Sequence, residues 1–216
     1  MNKLEMKEHG TAGTLITFCG LDGCGKTTMI RMLTDALEAN GTKLLLTKQP
    51  TDAVRTSNIF RTYTDTPDHD RYDYRSLSLF AASDRVQHVN KEILPALKAG
   101  KTVICDRYFY SCLANLLARG YLQDEWIYDV AKYIIKPDLA FFLDVPVETA
   151  LKRVRAREEE KDKYIDITLQ YRLRQYYRDI AEKNEGILLS TTESEKMTYS
   201  KIVAALGKIG RKNNDR

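Results

Sequence analysis

GLDGCGKTT, residues 20–28, spaces glycines at 20, 23 and 25 ahead of Lys26 and Thr27. A glycine turn of this spacing can aim successive backbone N–H groups inward, and a following helix N-terminus adds the positive end of its dipole. In the G-x-x-x-x-G-K-[ST] pattern the lysine reaches the β- and γ-phosphates, while the hydroxyl after it ligates magnesium. The chemistry in view is phosphate binding coupled to phosphoryl transfer.

Other residues could share that chemistry. Lys48 and Arg55 stand on either side of QPTDAV, and Asp106-Arg107 closes the apolar run TVICD. An aspartate there can hold a water of a magnesium shell, and the arginine can grip a second phosphate bidentately. In VETALKRVRARE (147–158), Val147, Ala150, Leu151 and Val154 form an apolar stripe, which leaves Arg153 and Arg157 one turn apart on one exposed side, with Arg155 nearby. Glu158 to Lys163 is a charged segment without an apolar anchor, suited to a lid that brings arginines to the charge developing in phosphoryl transfer.

Such residues need elements to position them. Leu15-Ile16-Thr17-Phe18-Cys19 reads as a buried strand into the loop, and Met29, Ile30, Leu33, Ala36 and Leu37 recur at helical spacing after it, up to a stop at Asn40-Gly41. Five strands are expected at 14–19, 43–48, 102–106, 139–145 and 187–190. Their continuous apolar runs, alternating with helices, predict an open, doubly wound α/β domain with a parallel sheet. In such sheets ligands bind at the carboxyl ends of the strands, where Lys48, Asp106 and the loop fall. A long helix from Tyr72 to Leu97 carries Leu79, Ala82, Val86, Val89 and Ile93 as its core stripe. The preceding polar, tyrosine-rich segment 61–75 reads as a loop that touches solvent or substrate.

With 216 residues and no Pro- or Ser-rich linker, a single domain is expected, with residues 1–13 and 211–216 as flexible polar tails. The 34 basic and 30 acidic residues nearly balance, so nucleic-acid binding is not implied. No stretch suits a membrane span or signal peptide, and the four cysteines (19, 24, 105 and 112) form no C-x-x-C pair; a cytoplasmic protein is expected. His9, His69 and His88 have no metal-ligand spacing.

Taken together, the phosphate loop, LFAASDRVQH, ICDRYFYS, and DLAFFLDV followed by LKRVRARE resemble the thymidylate kinase family over about residues 13–206. The resemblance implies a P-loop nucleoside monophosphate kinase fold over 14–210: a five-stranded parallel sheet with helices on both faces and a short arginine-bearing lid at about 155–166. It implies ATP as donor, Mg2+ as cofactor, a 5′-monophosphate acceptor, usually dTMP, and a homodimer. Carried over by position, Gly20, Leu21, Asp22, Gly23, Cys24, Gly25, Lys26, Thr27 and Thr28 become the ATP-binding loop. Thr27 and, through water, Asp106 become the metal contacts. Lys26, Asp106, Arg107, Arg153 and Arg157 become the catalytic set, and Asp22 meets the acceptor's 3′-hydroxyl. With Cys24 in the loop instead of arginine, the lid supplies the catalytic cation.

The acceptor side departs from the family. Lys48-Gln49-Pro50-Thr51-Asp52 replaces Arg-Glu-Pro-Gly-Gly, so Lys48 or Arg55 stands in for a phosphate-binding arginine. Aligned through Asp84-Arg85, the base-stacking phenylalanine becomes Ala81. Phe80, one residue early, lies about 140° from Arg85 and would need a local bulge to substitute. Asn115 falls where an aromatic usually blocks a 2′-hydroxyl, Leu116 where a polar residue often meets the base, and the lid reads Asp162-Lys163-Tyr164. The expected acceptor contacts are Asp22, Lys48, Arg55, Phe80, Arg85, Arg107 and Asn115. Two further readings share these residues: a deoxynucleoside kinase with Asp106 as base, and a catalytically silent nucleotide-binding module.

Overall fold

The computed structural model describes residues 1–162 and 164–214, the side chains of 209–214 excepted. In chain order its elements are β1 Thr14–Cys19, α1 Lys26–Ala39, β2 Leu44–Lys48, α2 Asp52–Arg55, α3 Asn58–Asp65, α4 Tyr74–His88, α5 Leu94–Lys98, β3 Thr102–Asp106, α6 Phe109–Ala118, α7 Trp126–Ala131, β4 Leu139–Asp144, α8 Val147–Arg155, α9 Ile167–Lys183, β5 Ile187–Ser190 and α10 Glu195–Asn214. A single π turn, Val89–Ile93, joins α4 to α5.

The five strands form one parallel sheet in the order β2-β3-β1-β4-β5. β1 sits at its centre with Leu15 to Cys19 buried, because strands covered on both faces lose contact with water entirely. Phe18 pairs with Phe141 across β1 and β4, their rings 5.2 Å apart in the stacked geometry that favours aromatic pairs. Helices α1 and α10 pack together, while α4, α6 and α9 pack in series along the other side. Register then does the positioning: Phe18 lies opposite Asp106, and Asp106 opposite Lys48. Three carboxyl ends therefore converge where β1 runs into the glycine loop.

Several expectations are corrected. Residues 1–13 are docked: Leu4 is buried, its N–H donates to Asn184 Oδ1 at 2.8 Å, and Lys7 pairs with the chain at Ile135. Polar composition concealed this because backbone pairing needs no apolar side chain. At the other end α10 runs to Asn214, so residues 211–214 are helical and Asp215 and Arg216 lie outside the described residues.

Segment 61–75 is not mainly loop: α3 and a short 3-10 turn at His69–Arg71 occupy much of it, and Tyr63 and Tyr74 are buried. In α4, Leu79 is 49% exposed, while Leu77, Ser78, Ala81, Ala82 and Arg85 face inward. Ala82, Val89 and Ile93 of the expected stripe are buried, but the inward face of α4 is shared between the core and a cleft that tolerates small and polar side chains, so the stripe misplaces Leu79. Among the described residues no helix is long and apolar enough to cross a membrane.

Candidate active site

A cleft of about 560 Å³ opens at the carboxyl ends of the central strands. The glycine loop forms one end. Gly25 caps α1 in the left-handed conformation, φ 95°, with no side chain bonded to the helix's first turn. Those N–H groups are available to an anion, reinforced by the helix dipole. Lys26 is buried and donates from Nζ to the carbonyls of Leu21, at 2.8 Å, and Gly20, at 3.2 Å. Gly20, Leu21, Asp22, Gly23, Gly25, Lys26 and Thr27 line the cleft; Cys24 and Thr28 do not. Cys24 turns inward, and its carbonyl accepts the Thr191 hydroxyl at 2.9 Å.

Beside the loop, Asp106 ends β3 and Arg107 follows it. Lys48 Nζ approaches Asp106 Oδ2 at 3.6 Å, while Asp106 Oδ1 is buried and makes no hydrogen bond. Burial lowers the Lys48 ammonium below its usual range, although the Asp106 carboxylate opposes this. Arg107 is held at φ 66°, which costs a non-glycine residue on the order of 1–3 kcal/mol. Its contacts hold it there: the N–H donates to Phe18 O at 2.8 Å, and Nη1 donates to Gly20 O and the Tyr177 hydroxyl at 3.1 Å each. Nη2 meets Asp22 Oδ1 at 2.5 Å. The Tyr177 hydroxyl in turn donates to Ser111 Oγ at 3.0 Å, and burial pushes its phenol up to about 12.

The far end lies between α3, α4 and α6. Arg85 is buried, lines the cleft and donates from Nη1 to Ala81 O at 2.8 Å; its Nε is unpartnered. Phe80 is 41% exposed and outside the cleft, whereas Ala81 lines it. One residue turns a helix by about 100°, so no bulge brings Phe80 inward. Leu116 is likewise fully buried away from the cleft. Asn115 lines the wall, but both ends of its amide are engaged, Nδ2 with Ser111 O at 2.9 Å and Oδ1 with Arg119 Nη1 at 2.8 Å. Arg55 lines the cleft near Asp52. The loop after β2 is fixed from α4, where Asp84 accepts the Thr51 N–H at 2.8 Å as well as its hydroxyl, and His88 bonds both Thr47 and Gln49.

The lid arginines separate. α8 stops at Arg155, so Arg157 leaves the helix, lines the cleft and pairs with Glu160 at 2.7 Å. Arg153 stays on α8 and donates to Thr191 O at 2.9 Å and Gly23 O at 3.4 Å, outside the cleft. The expected shared face is therefore corrected, because the helix ends before Arg157. Lys163 of the lid lies outside the described residues, but Tyr164 and Asp166 line the cleft. Below the lid, Asp144 at the end of β4 is bonded by Arg174 at 2.7 and 2.9 Å and by Arg178 at 2.9 Å. Burial alone would raise its carboxyl, yet these two cations bring it below its usual range.

Tyr63 and Tyr74, from the segment 61–75 expected to touch solvent or substrate, line the cleft, as do Arg119 and Tyr177, which no expectation named, and Thr191 braces the loop behind it. Only the spacing Ser111, Asn115, Arg119, four residues apart on one helix face, carries a local signal.

A family model described as thymidylate kinase matches residues 18–202. A probable thymidylate kinase of Pyrococcus horikoshii is 41% identical over 197 residues, which cover 89% of this chain and 95% of that protein. One of Thermococcus kodakarensis is 36% identical over 195 residues, 87% and 94% of the two chains. A thymidylate kinase of Geobacillus is 32% identical over 203 residues, 90% and 96%.

Proposed function

The chain belongs to the thymidylate kinase family, and on that premise we propose that it moves the γ-phosphoryl group of ATP onto the 5′-phosphate of dTMP in this cleft. The observation that carries the reading is one cleft with an anion-binding helix N-terminus and a buried lysine at one end, Arg107 beside them for a second phosphorylated group, and Arg85 at the far end. Phosphoryl transfer of this type needs positioning and charge stabilisation more than covalent chemistry.

The loop N–H groups and Lys26 hold the donor phosphates; Arg107, oriented by Asp22 and Tyr177, holds the acceptor phosphate, with Lys48 and Arg55 close by. Asp22 also faces the acceptor sugar. Arg157 is the lid cation that covers the transferring group, while Arg153 braces the loop from behind. Closing the lid excludes water, so that the attacking phosphate oxygen is the acceptor's own.

Magnesium suits the residues present: Asp106 Oδ1 is buried and unpartnered, and the exposed Thr27 hydroxyl lines the same cleft. When bound, the ion would draw charge from the phosphate oxygens. Among the described residues no cluster of three His, Cys, Asp or Glu side chains could cage a metal, so its remaining ligands would be phosphate and water. The exposed neighbours Leu79 and Phe80 on α4 offer a homodimer an apolar face, and four unpaired thiols suit a cytoplasmic protein.

The test is ADP release with magnesium-ATP across deoxy and ribo monophosphates and free nucleosides. Turnover on dTMP in preference to the others is expected. Turnover on nucleosides alone, or on nothing, overturns the assignment.

A further inference from the structure

From the end of β2 onward, side chains alternate between α4 and the cleft, as they do along a strand. Thr47, Gln49 and Thr51 turn to α4, where His88 bonds the first two and Asp84 the third. Lys48 and Pro50, between them, line the cleft. Gln49 is fully buried, and its N–H donates to Asp106 O at 2.9 Å, which fixes the main chain to the end of β3. Its amide has one partner among the described residues, His88 Nδ1 at 3.0 Å, while Oε1 is buried with none. A buried amide that loses its last hydrogen bond bears its whole desolvation cost. This one bond therefore decides whether the Gln49 side chain stays inside.

Chemistry fixes the direction of that bond. An amide nitrogen only donates, so Nδ1 accepts, and in the neutral ring the proton sits on Nε2. There Thr47 Oγ1 accepts it at 2.8 Å, with a Glu92 carboxylate oxygen at 3.4 Å. Burial lowers the His88 imidazole below its usual range, against the pull of Glu92 and Asp84, and so favours the neutral form. His88 itself is 3% exposed and lies outside the cleft, so its ring meets no substrate.

We propose that His88 is a positioning residue for the acceptor phosphate: by accepting from Gln49 it keeps residues 48–50 against β3 and so holds Lys48 at the cleft, 3.6 Å from Asp106. This rests on the kinase reading above. Without that acceptor the Gln49 amide must turn out to water, and the main chain that turns it carries Lys48 and Pro50, one residue to either side. The donor end is held by other elements, the glycine loop and α1, and does not feel the change.

The experiment compares wild type, His88→Asn and His88→Gln with magnesium-ATP and dTMP, reading the two KM values separately. Asparagine places its Oδ1 where Nδ1 stands and keeps the acceptor; glutamine places its Nε2 at the other ring nitrogen and keeps only the bond to Thr47. His88→Gln should raise KM for dTMP by about fivefold or more, the scale of a buried polar group left unpaired, with KM for ATP at the wild-type value. His88→Asn should bring KM for dTMP most of the way back. If His88→Gln does not fold, His88→Leu, which also lacks the acceptor, takes its place. Equal KM values for dTMP in the two variants, or a matching rise in KM for ATP, would mean that His88 only supports the fold, and the inference falls. If wild type itself fails to turn over dTMP, the kinase reading fails instead. Hydrogen exchange at the Gln49 and Thr51 amides then decides His88: faster in His88→Gln than in His88→Asn if it positions the segment, equal in both if it does not.

Discussion

Replacing Gly23 by alanine tests whether the seat of the phosphate loop on α8 sets the reaction geometry. A Cβ at Gly23 would fall 2.3 Å from the Ala150 carbonyl oxygen and 3.0 Å from Val154 Cγ2. The first contact is helix backbone, which cannot swing aside as a side-chain tip can. Opening it from 2.3 Å to an ordinary 3.4 Å parts loop and helix by about 1.1 Å. Misplacing reacting groups by about 1 Å costs on the order of 10²-fold in rate. Stability suffers twice, by about 1–2 kcal/mol for a left-handed residue with a Cβ and by about 1–3 kcal/mol for overpacking. Gly25 is the matched control. It too has positive φ, yet a Cβ there meets nothing closer than Thr191 at 3.9 Å. Gly25→Ala should lose only the backbone contribution, which for a chain of this size lowers Tm by roughly 2–8 °C. Gly23→Ala should unfold at a lower temperature still, and its turnover at saturating ATP and dTMP should drop about a hundredfold. Thermal unfolding and single-turnover rates on the two variants give the answer. Equal destabilisation in both, or wild-type turnover in Gly23→Ala, would refute the reasoning.

Asp106→Asn keeps the shape of the β3 terminus but removes the charge behind the unpartnered Oδ1. The magnesium concentration for half-maximal turnover should rise by about tenfold or more, and an unchanged titration would remove Asp106 from the metal's surroundings. Asp144 has a depressed native carboxyl, so its contribution is fully present above the unfolded value of 3.8 and is lost as pH falls through the lower native value. Urea unfolding of wild type and Asp144→Asn should therefore differ by on the order of 1 kcal/mol from pH 7 down to about 4, with the gap closing below that. A gap that instead grows in acid would contradict the assignment.

Residues close in sequence made much of the active site legible. Gly20 to Gly25 form a loop between a strand and the helix that opens on Lys26 and Thr27, so its chemistry depends on neighbours in the chain. Asp106 and Arg107 end a run of apolar residues, and any parallel sheet sends that end to the same edge. The acceptor end behaves differently. Arg119, Tyr63 and Tyr74 come from three separate helices, and no periodicity within one element reports how two others pack against it. Phe80 and Ala81 differ by one position, yet the crossing of α4 with α6 decides which of them the cleft receives. Arg153 and Arg157 look equivalent on an ideal helix, but α8 ends between them, and Thr191, 38 residues on from Arg153, claims that arginine for the loop.

The sequence by itself determined the phosphate loop, the parallel sheet and the strand-end residues, because a backbone turn and an apolar run are local properties of a chain. Tertiary structure alone decided the acceptor pocket and the division of labour between the two lid arginines. Both depend on side-chain directions and long-range hydrogen bonds, which exist only once the helices are packed.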